Sequence, residues 1–221
     1  MSGVVSVFSR ELRLAWSGGG GPALPVGFFA AASSLTPFAV SPDAQTLGIA
    51  GPGVTWIALA LASLLPMERL FQADLEDGTL DAYAGSGVSM EGTAAAKTLA
   101  HWIATGIPLA VIAPLIWIML LGPPEISWLV VAVSALGSAG FFFIGSIGAA
   151  LAAGVRRGGL LIALVALPLY TPLMIFGAST LNLAAEGGEW GPPLMLTAAA
   201  TLFSAVISPI ASAMALRAAI D

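Results

Sequence analysis

Long uninterrupted runs of apolar residues alternate along this chain with short polar segments. Six of the runs are long enough, at about 20 residues each, to cross the roughly 30 Å hydrocarbon core of a bilayer as α-helices. Strands of a membrane β-barrel would alternate between apolar and polar residues, and these runs do not. The pattern therefore predicts six membrane-spanning helices, near residues 22–41, 47–66, 99–121, 126–153, 159–182 and 193–216.

Composition points to the same class of protein. Of 221 residues, 58% are hydrophobic and 9% are charged, whereas a soluble domain has about 25% charged residues. A compact soluble fold could not cover this much apolar surface, so the expected solvent is the lipid bilayer. The few basic residues form no stripe, which argues against nucleic-acid binding.

The basic residues predict the orientation of the chain. All seven fall in segments on one side of the six predicted spans: Arg10, Arg13, Arg69, Lys97, Arg156, Arg157 and Arg217. The segments on the other side contain only acidic charges: Asp43, Glu125, Glu186 and Glu189. Because cytoplasmic loops carry the excess of Lys and Arg, both termini are expected in the cytoplasm.

Residues 1–20 are predicted to form an amphipathic helix that lies in the membrane interface, ahead of a six-helix membrane domain over 21–221. Apolar residues recur in it at spacings of three and four: Val5, Phe8, Leu12 and Ala15. Charged residues stand where a secretory signal would need its apolar core, so the segment is not read as a signal peptide. The alternative is a frayed terminus without a role.

Prolines and small residues within the runs indicate how the helices pack. Bends or interruptions are expected at Pro25, Pro37, Pro108, Pro114, Pro168, Pro172 and Pro209. Small residues that let helices approach closely are frequent in the fourth to sixth runs, and they include Gly137, Gly140, Gly145, Gly148, Ala149 and Ala152. Ordinary helix packing is favoured over a substrate path as the reason for them.

The cytoplasmic segment 67–98 is much longer than a tight connection and contains six acidic and two basic residues. Short helices are expected in it, with a break at Gly78, and Ser89 is expected to cap a helix that leads into span three. Apolar residues lie among the charges: Leu70, Phe71, Leu75 and Leu80. Exposed apolar groups among charges favour a docking surface for a partner, whereas a solvated connector is the alternative.

Catalytic signatures are missing from the sequence. The one lysine, Lys97, follows Ala96, so there is no phosphate-binding P-loop. With one histidine and no cysteine, zinc motifs and thiolate chemistry are excluded, and no Gly-x-Ser-x-Gly elbow is present. We therefore expect no enzyme and no metal site. The predicted spans contain no charged residue, and His101, beside Trp102, is either a haem ligand or, as favoured, an interface or packing contact.

The segment 67–98 also resembles the cytoplasmic signature of the CcmB family, the haem exporter protein B family. The residues that carry the resemblance are Glu68, Arg69, Leu70, Phe71, Asp74, Asp77, Gly78, Thr79, Leu80 and Asp81. It continues in order through Ala96, Lys97, Ala100, His101, Trp102, Thr105, Gly106, Pro108 and Leu109, through 156–159 and 167–176, and through Ser208, Pro209, Ala211, Ala213, Ala215, Leu216 and Arg217. One departure is the stretch Gly85–Val88, where the family usually has Leu and Pro.

The resemblance implies an ABC-2-like permease in the bacterial inner membrane, the membrane subunit of the cytochrome c maturation ABC transporter. Its implied partners are a second copy of itself, the ATPase CcmA, CcmC and CcmD, with the haem chaperone CcmE as client. ATP would be used by the partner subunit, haem would be a substrate rather than a bound cofactor, and the work would be haem export or release of loaded CcmE. The alternatives are a membrane scaffold without a transport path and an ABC-2 permease for another hydrophobic substrate.

Within this interpretation the segment from Glu68 to Asp81 is expected to couple the ATPase to the spans. The residues assigned to coupling are Arg69, Phe71, Asp74, Asp77, Gly78 and Leu80. Phe71 and Leu75 are expected to fill an apolar groove of the partner, and Asp74 and Asp77 to supply charge or cap short helices.

Overall fold

The computed structural model describes residues 3–17, 21–40, 43–155 and 158–220, and within them the chain is helical with no strand. This confirms the all-α fold. The α-helices, in chain order, are α1 Gly3–Ser17, α2 Ala23–Ser34, α3 Thr36–Ala39, α4 Ala44–Leu64, α5 Gln72–Glu76, α6 Thr79–Gly85, α7 Met90–His101, α8 Ile107–Met119, α9 Ser127–Ala152, α10 Gly159–Leu169, α11 Thr171–Ala185 and α12 Gly191–Ile220. Short 3₁₀ turns cover Leu65–Arg69 and Pro124–Ile126, and a π-helical turn over Trp102–Gly106 joins α7 to α8.

The expected count of six full-length spans is not confirmed. Across the described residues four continuous helices are long and apolar enough to cross a membrane: Gln45–Glu76, Met90–Met119, Pro124–Ala152 and Gly191–Ile220. A fifth is formed if α10 and α11, which meet at 59°, count as one bent span. The predicted first span is the shorter apolar helix Ala23–Ala39, because α2 ends at Ser34 and Pro37 stands in the first turn of α3.

The predicted proline break between α10 and α11 is confirmed. Pro168 lies at the end of α10 and Pro172 in the first turn of α11. Tyr170 stands between the two helices with its ring fully buried, and its hydroxyl donates a hydrogen bond to the Phe141 carbonyl at 2.8 Å. The bend is therefore fixed against α9 rather than left free.

The close approach of helices at small residues is also confirmed. The indole of Trp56 on α4 fills the space beside Gly137 on α9 and Gly177 on α11, and a Cβ at either glycine would collide with the ring. Its Nε1 donates to the Leu173 carbonyl at 2.8 Å. A Cβ at Gly148 would come within 3.1 Å of the Ile162 carbonyl oxygen, so α9 and α10 touch backbone to backbone.

In the described part of the chain two apolar clusters fill the interior, and the first is built around Trp56, Phe141 and Tyr170. The second joins the segment after α4 to α7, to α9, to the beginning of α10 and to the end of α12, through Met67, Leu70, Phe71, Leu80, Ala94, Phe142, Ala149, Ala150, Ala152, Ala153, Ile162 and Leu216. Residues 67–89, called the acidic segment below, are therefore packed onto the membrane helices and are part of the fold.

Helix α1 runs alongside α7 in the same direction. Near its beginning Val4 lies against Gly92, where a Cβ would come within 2.8 Å of the valine Cγ2. Two turns later Glu11 reaches Lys97. The buried residues of α1 are Val7 and Glu11. The helix itself is as expected, and its placement in the membrane interface stays a prediction.

Candidate functional site

The acidic segment contains two short helices that meet at a sharp turn. Gly78 between α5 and α6 has φ 77°, a left-handed conformation that favours glycine. Asp77 Oδ1 accepts a hydrogen bond from the Thr79 amide at 2.9 Å, and the Thr79 hydroxyl, followed by this amide, lowers the pKa of the exposed Asp77 carboxyl. Ser89 caps α7 by accepting from the Gly92 amide at 3.1 Å. The expected break at Gly78 and the cap at Ser89 are confirmed.

The expectation that apolar side chains of this segment await a partner is wrong for three of the four. Leu70, Phe71 and Leu80 are almost completely buried, at 1%, 0% and 0% exposed. They pack within the second apolar cluster, on the ends of the chain's own membrane helices. Leu75 is half-buried, with its Cδ2 3.3 Å from where a Cβ of Gly154 would stand.

The outer side of the segment is charged. Four exposed carboxylate residues, which we call the acidic face, are Glu68, Glu76, Asp77 and Asp81. Arg69 is exposed at the beginning of the same surface. A partner that contacts this surface would meet carboxylates rather than the predicted apolar side chains.

Asp74 does not belong to the acidic face, because its side chain is directed inward. Its Oδ2 lies 2.6 Å from Lys97 Nζ, and its Oδ1 lies 3.4 Å from a guanidinium nitrogen of Arg10. Lys97 Nζ also lies 2.8 Å from Glu11 Oε2, and Arg10 lies 2.7 Å from Glu11 Oε1. These four residues are called the charge cluster below. Two carboxylates and two cations balance one another in it.

Three of the four residues of the charge cluster are shielded from solvent, and Arg10 is the more exposed fourth. Glu11, Asp74 and Lys97 are 4%, 5% and 2% exposed. Burial alone would raise the pKa of the Glu11 carboxyl, but the His101 and Lys97 side chains outweigh it and lower this pKa to about 2. Glu11 is therefore an ionised carboxylate at neutral pH.

His101 and Trp102 have different neighbours. The His101 Nε2 lies 3.7 Å from Glu11 Oε2, at the edge of the charge cluster. The Trp102 Nε1 donates to Ser138 Oγ on α9 at 3.2 Å. The structure thus brings His101, but not Trp102, to the charge cluster.

Sequence reasoning missed Glu11 and Arg10 as partners of Asp74 and Lys97. It also placed Lys97 outside span three, whereas the continuous helix begins at Met90 and includes it. Arg156 and Arg157 lie outside the described residues. They are the basic residues of the predicted inner loop between spans four and five. A usable signal was that the only lysine of the chain stands in a helix of small apolar residues, where a charge needs a partner.

A cavity of about 560 Å³ opens at the opposite end of the bundle. It is formed by the beginning of α4 and the ends of α8 and α11, and its polar side chains are Gln45, Asn182 and Glu186. It is remote from the acidic face, because α4 runs from one to the other.

Apolar helices of spanning length, joined by short polar segments, make this an α-helical multi-pass membrane protein. Residues 2–219 match the sequence model of the family described as CcmB protein, and the chain belongs to that family. It is 43% identical over 209 residues to Heme exporter protein B of Paracoccus denitrificans, which covers 94% of this chain and 95% of the relative. It is 43% identical over 213 residues to the protein of the same name from Rhodobacter capsulatus, covering 96% and 97%. With that of Escherichia coli K12 it shares 37% over 215 residues, covering 97% and 98%. These matches confirm the resemblance seen in the sequence.

Proposed function

We propose that this chain is the membrane permease subunit of a haem-export system for cytochrome c biogenesis, and that a separate subunit hydrolyses ATP. The observation that carries the proposal is the identity of 35–43% over nearly the whole chain to relatives named Heme exporter protein B. The bundle of apolar helices supports a role within the bilayer. The proposed setting is the bacterial inner membrane, with both termini in the cytoplasm.

The proposed assembly contains a second copy of the chain, the ATPase CcmA, CcmC and CcmD, with CcmE as client. In it the energy of ATP hydrolysis drives haem export or the release of haem-loaded CcmE. The chain itself contributes no catalytic group to this work.

We propose further that the ATPase docks on the acidic face. A coupling element must be stiff and bound at both ends, because a state change passes only through differential contacts. Phe71 and Leu80 fix the segment to the membrane helices from inside, and the turn at Asp77 and Gly78, closed by the bond from the Thr79 amide to Asp77, holds its two short helices. The apolar side chains thus give stiffness, and the exposed carboxylates give the contact.

The test is charge reversal at the acidic face. We expect Asp81→Lys and Asp77→Lys each to reduce co-purification of the ATPase in mild detergent by about tenfold or more, with a parallel loss of cytochrome c maturation, because reversed charges oppose a complementary surface. Asp77→Lys also removes the hydrogen bond from the Thr79 amide at the start of α6, worth about 1 kcal/mol. Asp77→Asn is therefore the matched variant, since asparagine can retain the bond from the Thr79 amide and removes only the charge.

Glu186→Lys and Glu189→Lys, at the other end of the bundle, are the controls and should leave ATPase binding unchanged. Full ATPase binding and full maturation in both Asp77→Lys and Asp81→Lys would reject the acidic face as the docking surface.

A further inference from the structure

The charge cluster lies where α1, α5 and α7 meet. Lys97 belongs to α7, which continues into a membrane span. Its ammonium group touches one carboxylate from α1 and one from α5, Glu11 at 2.8 Å and Asp74 at 2.6 Å. A single cation thus binds the N-terminal helix and the acidic segment to the same membrane helix.

Neither α1 nor the acidic segment is fixed in position by its own helical structure. Helix α5 has five residues, far fewer than the roughly 12 that an isolated helix needs. Helix α1 buries only Val7 and Glu11, while Val5, Leu14 and Trp16 are 44%, 48% and 60% exposed. Hydrophobic contact is non-directional, so it leaves the position of such elements along α7 poorly defined. A short buried ion pair has a defined geometry.

The rest of the charge cluster supports this arrangement. Arg10 approaches both carboxylates from the more exposed side and also donates to the Tyr83 hydroxyl at 3.1 Å. Tyr83 lies on α6, so the second short helix of the acidic segment is tied to α1 as well. Polar side-chain contacts therefore join α1 to α5 and α1 to α6.

We infer that Lys97 is a positioning residue that locks α1 and the acidic segment onto α7, so that the three move as one body. A push on the acidic face would then reach the span helix Met90–Met119 through Lys97 as well as through the apolar cluster. This deepens the proposed function and rests on it for the route of coupling, whereas the locking itself is a property of this chain alone.

The locking is tested by amide hydrogen exchange of the purified chain in lipid nanodiscs. Loss of one partner of a buried ion pair is strongly destabilising. In Lys97→Met we expect amides of α1 and of residues 72–85 to exchange about a hundredfold faster, because local opening becomes easier, while α9 and α12 keep their wild-type exchange. Glu11→Gln should speed exchange more in α1 than in residues 72–85, and Asp74→Asn should do the reverse, because each variant removes the Lys97 contact of one element only while Arg10 still links the two.

The matched control is the exposed ion pair that also involves α7, Arg217 with Glu91 at 2.6 Å. Glu91→Gln removes it and should leave exchange in α1 and in residues 72–85 unchanged, since exposed pairs contribute little. The inference is overturned if Lys97→Met releases only one of the two elements or neither. If Lys97→Met does not insert, the carboxylate variants decide: faster exchange chiefly in the element that lost its contact with Lys97 supports the lock, and an equal change or no change in both elements rejects it.

The coupling role has its own readout, in the complex with the ATPase. Lys97→Met should retain the bound ATPase and about its normal rate of ATP hydrolysis, while cytochrome c maturation falls about tenfold. A purely structural role would lower all three together and would reject Lys97 as a coupling residue. Failure of the acidic-face variants to affect ATPase binding would reject the docking proposal and leave the exchange result standing.

Discussion

Phe71→Ala separates packing within the chain from docking to a partner. The Phe71 side chain is 0% exposed and packs in the second apolar cluster with Leu70, Leu80 and Ile162. Truncation removes a ring that contacts no solvent and leaves a cavity near the end of α9 and the beginning of α10. Phe→Ala changes in cores cost about 3–5 kcal/mol, of a total stability of about 5–15 kcal/mol.

The expected result is a large loss of stability without a specific loss of docking. For a chain of this size about 1 kcal/mol corresponds to about 2–4 °C, so Tm should fall by about 10 °C. The shift in Tm is measured by heating the detergent-solubilised chain and monitoring its aggregation with size-exclusion chromatography. The chain that remains folded should bind the ATPase as the wild type does, since the acidic face is intact.

Ala73→Ser is the matched control, because Ala73 is exposed on the same short helix. It should change Tm by no more than about 1 °C, as surface substitutions usually do. A Phe71→Ala chain with wild-type Tm and no ATPase binding would refute the reasoning, because Phe71 would then be a docking side chain.

Two further predictions address His101 and the orientation. His101→Ala should leave most cytochrome c maturation intact, since the imidazole is 3.7 Å from Glu11 and its loss should cost about 1 kcal/mol; complete loss at a normal protein level would indicate a direct role such as haem ligation. The chain has no cysteine, so single introduced cysteines report which side of the membrane a residue faces. Glu125→Cys should react with an impermeant thiol reagent from the periplasm, and Asp81→Cys should not. Labelling of Asp81→Cys from outside would reverse the predicted orientation.

Much of the fold could be predicted from the sequence because it depends on local chemistry. Continuous apolar runs identify membrane helices, Gly78 identifies a turn, and Ser89 identifies a helix start, each from properties of a few neighbouring residues. The first span was overestimated because hydropathy does not register a break: Leu35 and Pro37 are as apolar as a continuous helix requires.

The candidate site was harder to predict because it depends on contacts between distant residues. Apolar side chains among charges look the same in sequence whether they face a partner or the chain's own helices, and Phe71 proved to do the second. Glu11 and Lys97 are 86 positions apart, and no local sequence pattern links them. Only the packing of α1 along α7 brings the two charges together.

The length of the membrane helix that contains Lys97 connects the orientation to the charge cluster. Met90–Met119 has 30 residues, or about 45 Å of helix, which exceeds the hydrocarbon core by about 15 Å. Its charged residues, Glu91 and Lys97, both lie in the first eight positions, and Ile107–Met119 is wholly apolar. The surplus length therefore lies at the beginning of the helix, where α1 and the acidic segment cover it. Since basic residues favour the cytoplasmic side, this end is expected to face the cytoplasm, where the proposed ATPase would lie. The docking proposal and the predicted orientation thus depend on each other, and a reversed orientation would reject both.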